Sequence, residues 1–198
     1  MRFIATIGKH HRDIEKYSEK VLVDYVNSFP ERNAIVASYS RDDVFTHGLG
    51  TEILALSRSG KKNLIFCGPD ISAQNKIYEE ILQQRKEDPD FVTRKNILEM
   101  MDTTIWAYLS AYWTSPEKVN SDISDSIFSA RRLMISSFVP EVDDKIWEPN
   151  IHLITENIKK QKDYTKSIIL VDVQYKFFIE KKFEEHPPSS SSRDGGVL

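Results

Sequence analysis

The sequence predicts an α/β fold with an N-terminal β-α-β-α-β-α parallel-sheet core, a helical middle and a C-terminal edge or antiparallel strand. Three observations carry this expectation. Short apolar runs recur at residues 3–7, 34–37 and within 63–70. The segments between them place apolar residues at helical spacing. The connections are short, as expected where parallel strands alternate with crossover helices. Right-handed crossovers make such a chain an open two-layer or a three-layer sandwich.

The first run, FIATI, is rich in strand-forming residues and stops at Gly8. From Asp13 the positions Ile14, Tyr17, Val21, Tyr25 and Val26 read as a helix, which Pro30 closes. A second strand at 34–37 runs into the polar stretch SYSRDD. Phe45, Leu49, Ile53 and Leu56 then mark one helical face, broken at Ser59-Gly60. The third strand, in NLIFCGPD, precedes a stripe of Ala73, Ile77 and Ile81. In the middle, Leu98, Met101, Ile105, Tyr108, Leu109 and Tyr112 predict a long helix starting near Asp90. Pro116 resets the chain, and a serine-rich helix runs from Val119 towards Phe138. VPEVDDKIWEPN reads as a loop between Pro140 and Pro149. In IILVDVQYKFFIEKKF, Ile169, Val171, Val173, Tyr175, Phe177 and Ile179 alternate with polar residues, which predicts a strand with one wet face.

At 198 residues the chain suits one α/β domain over 1–185, followed by a disordered Ser/Pro/Gly-rich tail at 186–198. The net charge of −3 gives no basic footprint for nucleic acid or an anionic membrane. The basic pairs, Arg131-Arg132 among them, lie beside acidic residues and read as solvated surface. No apolar stretch is long enough for a membrane span or a secretory signal. The single cysteine, Cys67, allows no intramolecular disulfide and reads as a small buried hydrophobe. Together these features predict a cytoplasmic or nuclear protein.

In an open α/β sheet, ligands bind outside the carboxyl ends of the strands. That rule selects three polar clusters. After the first strand come Gly8, Lys9, His10, His11, Arg12 and Asp13. Gly8 permits close backbone approach, and Lys9 and Arg12 supply charge for a small anionic ligand, so the chain reads as a small-ligand-binding protein or an enzyme acting on a nucleotide or other phosphorylated or sugar-like compound. His10 or His11 is the candidate proton-transfer group. Adjacent histidines on an extended segment point apart, and no metal-binding spacing occurs in the chain. After the second strand come Ser40, Arg41, Asp42 and Asp43. Asp43 and His47 are four apart, as an oriented imidazole requires, although the favoured reading makes Asp42 or Asp43 the helix cap and His47 a surface residue. After the third strand, Asp70 is a ligand acceptor or the cap of the next helix. No glycine-rich nucleotide loop is present, and no cofactor is indicated. The alternative is a non-catalytic interaction protein. Its partner or second copy would dock on the aromatic helix carrying Trp106, Tyr108, Tyr112 and Trp113, or on the C-terminal edge strand.

Overall fold

The computed structural model describes residues 1–185, so the tail expected at 186–198 lies outside the described residues. The fold is mixed α/β. Strands β1 (Arg2–Thr6), β2 (Asn33–Val36), β3 (Asn63–Phe66) and β4 (Ile168–Asp172) form one sheet in the order β1-β4-β2-β3. Every pairing is parallel. The first three strands lie where the apolar runs predict them.

The fourth corrects the C-terminal expectation. β4 is neither an edge nor antiparallel: Leu170 is in register with Ile4 on one side and with Val36 on the other. It ends after five residues. The Asp172 carboxylate accepts from the Gln174 N–H at 2.9 Å and so caps helix α10 (Val173–Glu185). The buried positions of α10 are Val173, Lys176, Ile179 and Phe183, a helical spacing with a lysine in its middle. That lysine hides the helical stripe in the sequence. The alternation of Tyr175, Phe177 and Ile179 then looks like a strand.

Other elements depart from expectation for local reasons. Two 3₁₀ turns, Gly8–Arg12 and Glu15–Tyr17, precede α1 (Glu19–Asn27), so the first helix starts later than Asp13. The stripe from Phe45 to Leu56 is split into α2 (Arg41–Phe45) and α3 (Thr51–Ser59). Between them Gly48 and Gly50 take left-handed backbone, φ 67° and 62°, which ends a helix. Helices α4 (Ile71–Arg85), α5 (Pro89–Tyr112) and α7 (Asp122–Phe138) follow the predicted stripes, with α6 (Pro116–Val119) as a link. The predicted loop around Pro140 and Pro149 is helical instead. It holds α8 (Pro140–Val142), a π-helical turn (Asp143–Trp147) and α9 (Glu148–Lys159). Both prolines occupy first turns, where a helix loses nothing by the missing N–H.

Strand alternation divides the core. Ile4, Ala34, Val36, Ile168 and Leu170 face α1, α3 and the end of α5. Ile35, Ile169 and Val171 face Ile151, Ile154 and Ile158 of α9 and Ile179 of α10. A third cluster, built on Ile81, Phe91, Val142 and Trp147, joins α4 and α5 to the π-helical turn. No helix of the described residues is long and apolar enough to cross a membrane.

One buried charge fixes α10 against α7. The Lys176 ammonium, 4% exposed, donates to Asp125 at 2.9 Å and to Glu180 at 2.8 Å. Replacing it by Lys176→Met leaves two carboxylates without their cation. Urea denaturation is expected to show a loss of about 3 kcal/mol, partly recovered in the Asp125→Asn/Lys176→Met double variant.

Candidate functional site

Because all four strands are parallel, their carboxyl ends share one rim. The loops after β1, β2 and β3 close on Tyr39. A Cβ at Gly8 would lie 3.2 Å from the Tyr39 hydroxyl, and one at Gly50 would lie 2.7 Å from its ring. A Cβ at Gly68 would come within 2.3 Å of the Tyr39 backbone nitrogen. Beside it, the Thr6 and Ser38 hydroxyls are hydrogen-bonded at 3.0 Å, both buried. Glu52, in the first turn of α3, is fully buried; among the described residues no donor meets its carboxylate in full hydrogen-bond geometry, and the Tyr39 phenol lies near enough to share a bond. Burial, reinforced by the nearby Asp172 charge, pushes its carboxyl up to about 7.

The residues singled out in the sequence lie on this rim but do not converge on one ligand position. β4 stands between the ends of β1 and β2. His11 is buried; its Nδ1 bonds the Tyr17 carbonyl at 2.5 Å and its Nε2 accepts from the Ile7 N–H at 3.2 Å. Both ring nitrogens are committed to the backbone, and burial drives the imidazole down to about 4. His10 stacks on Trp106 with centroids 3.7 Å apart, and partial burial followed by the Lys9 charge lowers its pKa. Lys9 is exposed, and Arg12 borders a shallow groove with Glu19, Lys20 and Arg58. Asp43 forms a capping box with Ser40, accepting from its N–H at 2.9 Å and its hydroxyl at 2.7 Å. The expected Asp43–His47 pair is therefore replaced by His47 against Asp42 at 3.2 Å. Arg41 lies over the Phe45 ring at 5.3 Å, and Asp70 caps α4 through the Ser72 and Ala73 N–H groups. Among the described residues, no group of three or more His, Cys, Asp or Glu side chains is placed to hold a metal ion.

A cavity lies elsewhere, among the helices, and Gln174, two residues past the end of β4, is part of its lining. It encloses about 300 Å³ between α4, α5, α7 and the π-helical turn. Its walls are apolar, with Ile81, Leu98, Ile135, Val142 and Trp147 prominent. A polar group is set into one side. Arg131 makes a bidentate pair with Asp102 at 2.7 and 2.8 Å and donates from Nη1 to the Gln174 amide oxygen at 2.7 Å. The guanidinium charge is thus cancelled, and this group keeps spare N–H from Arg131 and the Gln174 amide; Gln74, whose amide nitrogen is buried without a partner among the described residues, and Asn75 also line the cavity. Lys95 and Glu99 form a second neutral pair on the wall.

None of the sequence-selected residues lines this cavity. Arg131 and Arg132 read as solvated surface in the sequence, yet both are engaged: Arg132 pairs with Asp143 at 2.7 Å and Glu148 at 2.6 Å. The available signal was their position within the apolar stripe of α7, between Ile127 and Met134.

The aromatic helix divides its rings. Trp113 is wholly buried and donates to the Ser124 hydroxyl at 2.8 Å, whereas Tyr108 is exposed and stacks on Tyr112 at 6.0 Å.

Two outcomes test the packing of the rim. Gly68→Ala, whose Cβ meets backbone, is expected to cost about 3 kcal/mol, while Gly60→Ala, with open space around it, costs about 1 kcal/mol for its positive φ. Paired thermal melts compare them. For His11 the folded pKa lies below the unfolded value near 6.5, so the unfolded chain takes up the proton first. Its contribution is full above pH 6.5 and falls by about 3 kcal/mol as pH drops towards 4. An NMR titration should find the His11 ring neutral down to that pH.

Set beside known proteins, the chain has no counterpart that would carry a function to it: no family model, no curated protein and no solved structure matches.

Proposed function

We propose that the chain binds a small, uncharged and largely apolar molecule that presents one hydrogen-bond acceptor, such as a carbonyl, to Arg131 and Gln174. The observation that supports this reading is the cavity itself. It is concave and largely apolar-walled, with a few polar groups set into it, Arg131 and Gln174 foremost among them, the usual make-up of a small-molecule site. Charge decides the ligand class. Asp102 already neutralises Arg131, so a phosphate or carboxylate would have to displace it, while a neutral acceptor takes the spare N–H groups directly. The anionic, phosphorylated ligand expected at Lys9 and Arg12 is a separate proposal, and the closed packing around Tyr39 leaves it less support. A second reading, docking of another protein, rests on the shallow apolar depression between α5 and α7 formed by Ile105, Tyr108, Ile123 and Ile127.

Trp147 on the cavity wall provides the readout. Tryptophan emission is followed while aromatic ketones and amides, matched carboxylates and phosphate esters are added. Neutral acceptors are expected to change the emission, and the change should vanish in Trp147→Phe. Filling the cavity with Leu98→Trp should abolish binding when followed calorimetrically, and Gln174→Leu should weaken it about tenfold. Binding that survives Leu98→Trp, or no response to any compound in the folded wild type, defeats the proposal.

A further inference from the structure

The rim loop between α2 and α3 contains the parts of a latch. Its residues run from Thr46 to Gly50, and two left-handed glycines, Gly48 and Gly50, flank its single leucine. Gly50 lies directly against the Tyr39 ring, and Glu52 follows two residues later. The Tyr39 side chain also reaches Gly8 through its hydroxyl, and the Gly68 turn packs on the Tyr39 backbone, so this one residue joins three loops. The contact that should secure this arrangement is missing. Glu52 is 0% exposed, and among the described residues no donor meets either oxygen in full hydrogen-bond geometry; the Tyr39 phenol stands near enough to share a bond with it. Two other buried carboxylates among the described residues have a clear donor: Asp43 accepts from Ser40, and Asp125 accepts from Lys176 through one of its oxygens.

The charged groups around Glu52 do not compensate. Asp172 at the end of β4 and Glu19 on α1 both disfavour its ionised form. Asp43 on α2 adds to the negative field around Tyr39. Glu19 itself accepts a hydrogen bond from the Thr51 hydroxyl. The cations nearest to this side, Arg12, Lys20 and Arg58, line the outer groove, and none bonds Glu52.

We propose that Glu52 is a pH-sensitive latch: protonated, it lets Tyr39 and the 46–50 loop seat on the rim; ionised, it releases them and uncovers Thr6, Ser38 and Asp172. In chemical terms the carboxylic acid O–H is the only donor this carboxyl can supply to its own surroundings. The phenol of Tyr39 is the nearest group to receive or return that bond. Losing the proton leaves an unsolvated anion beside a second carboxylate, and water reaches it only if the loop lifts. The two glycines provide the backbone freedom for that motion.

The direction with pH follows from linkage. The closed form holds the proton up to about pH 7, while an opened, solvated Glu52 releases it near 4.5. Between these values the closed-to-open ratio falls about tenfold per pH unit, and above pH 7 it is constant. Hydrogen exchange of the full chain from pH 5 to 9, corrected for the intrinsic exchange rate, reads this ratio in peptides covering 41–56. Protection there is expected to fall steeply up to pH 7 and then level off, with peptides from α9, on the other face of the sheet, unaffected. Glu52→Gln, neutral at every pH, should give a flat profile. The carboxyl carbon of Glu52, followed by NMR in the wild type, should titrate near 7 and requires no variant. Identical exchange profiles in wild type and Glu52→Gln, or a carboxyl titrating in the ordinary range near 4.5, would overturn the latch.

Discussion

The parallel pairing of β4 with both β1 and β2 is the constraint on which the other contacts rest. Its five residues carry hydrogen bonds on both edges and apolar side chains on both faces. Without it, β1 has no partner and the remaining sheet is the two-stranded pair β2–β3. Ile168 and Leu170 complete the face covered by α1 and α3, and Ile169 and Val171 complete the face covered by α9 and α10. The same strand delivers Asp172 and Gln174 to the rim, so the cavity and the buried carboxyl cluster both depend on its register. Arg2 lies opposite Ile168, which brings together positions near the two ends of the described chain. Closing so long a loop carries an entropy cost before the sheet returns any stability, and a fold of this topology is correspondingly slow to assemble.

The interior tolerates ionisable groups in three different ways. Lys176 and Arg131 are matched by carboxylates at hydrogen-bonding distance. His11 avoids charge altogether and serves as a neutral bridge between the Ile7 N–H and the Tyr17 carbonyl. Glu52 has neither provision. Removing a paired charge is a stability matter, whereas an unpaired one makes the local structure respond to proton concentration.

The local signals in the sequence were read correctly where apolar spacing was undisturbed. The first three strands and helices α4, α5 and α7 follow directly from it. The pattern misleads at α10, where a tertiary partner takes the place of an apolar residue. Lys176 occupies a core position of α10 because Asp125 and Glu180 await it, and no spacing rule anticipates partners far along the chain. Pro140 and Pro149 look like stops but begin helices, since proline is tolerated in a first turn. The strand-end rule located the rim, but order within the sheet decides which residues meet there. With β4 inserted, the first two strand ends meet through the Thr6–Ser38 hydrogen bond and the approach of Tyr39 to Gly8. The cavity-lining residues Asp102, Arg131 and Trp147 come from three separate helical segments and share no motif.

Cys67, the single cysteine, closes β3 on the side facing α9: its N–H donates to the Val36 carbonyl at 2.9 Å, and its carbonyl accepts from the Asn157 amide at 3.1 Å. The thiol is buried, and desolvation pushes it up to about 12, so almost no thiolate exists at neutral pH. A thiol reagent can therefore act only during the moments when β3 and α9 part. The rate at which the protein takes up such a reagent is a clock for that separation, supplied by the chain without any engineered label.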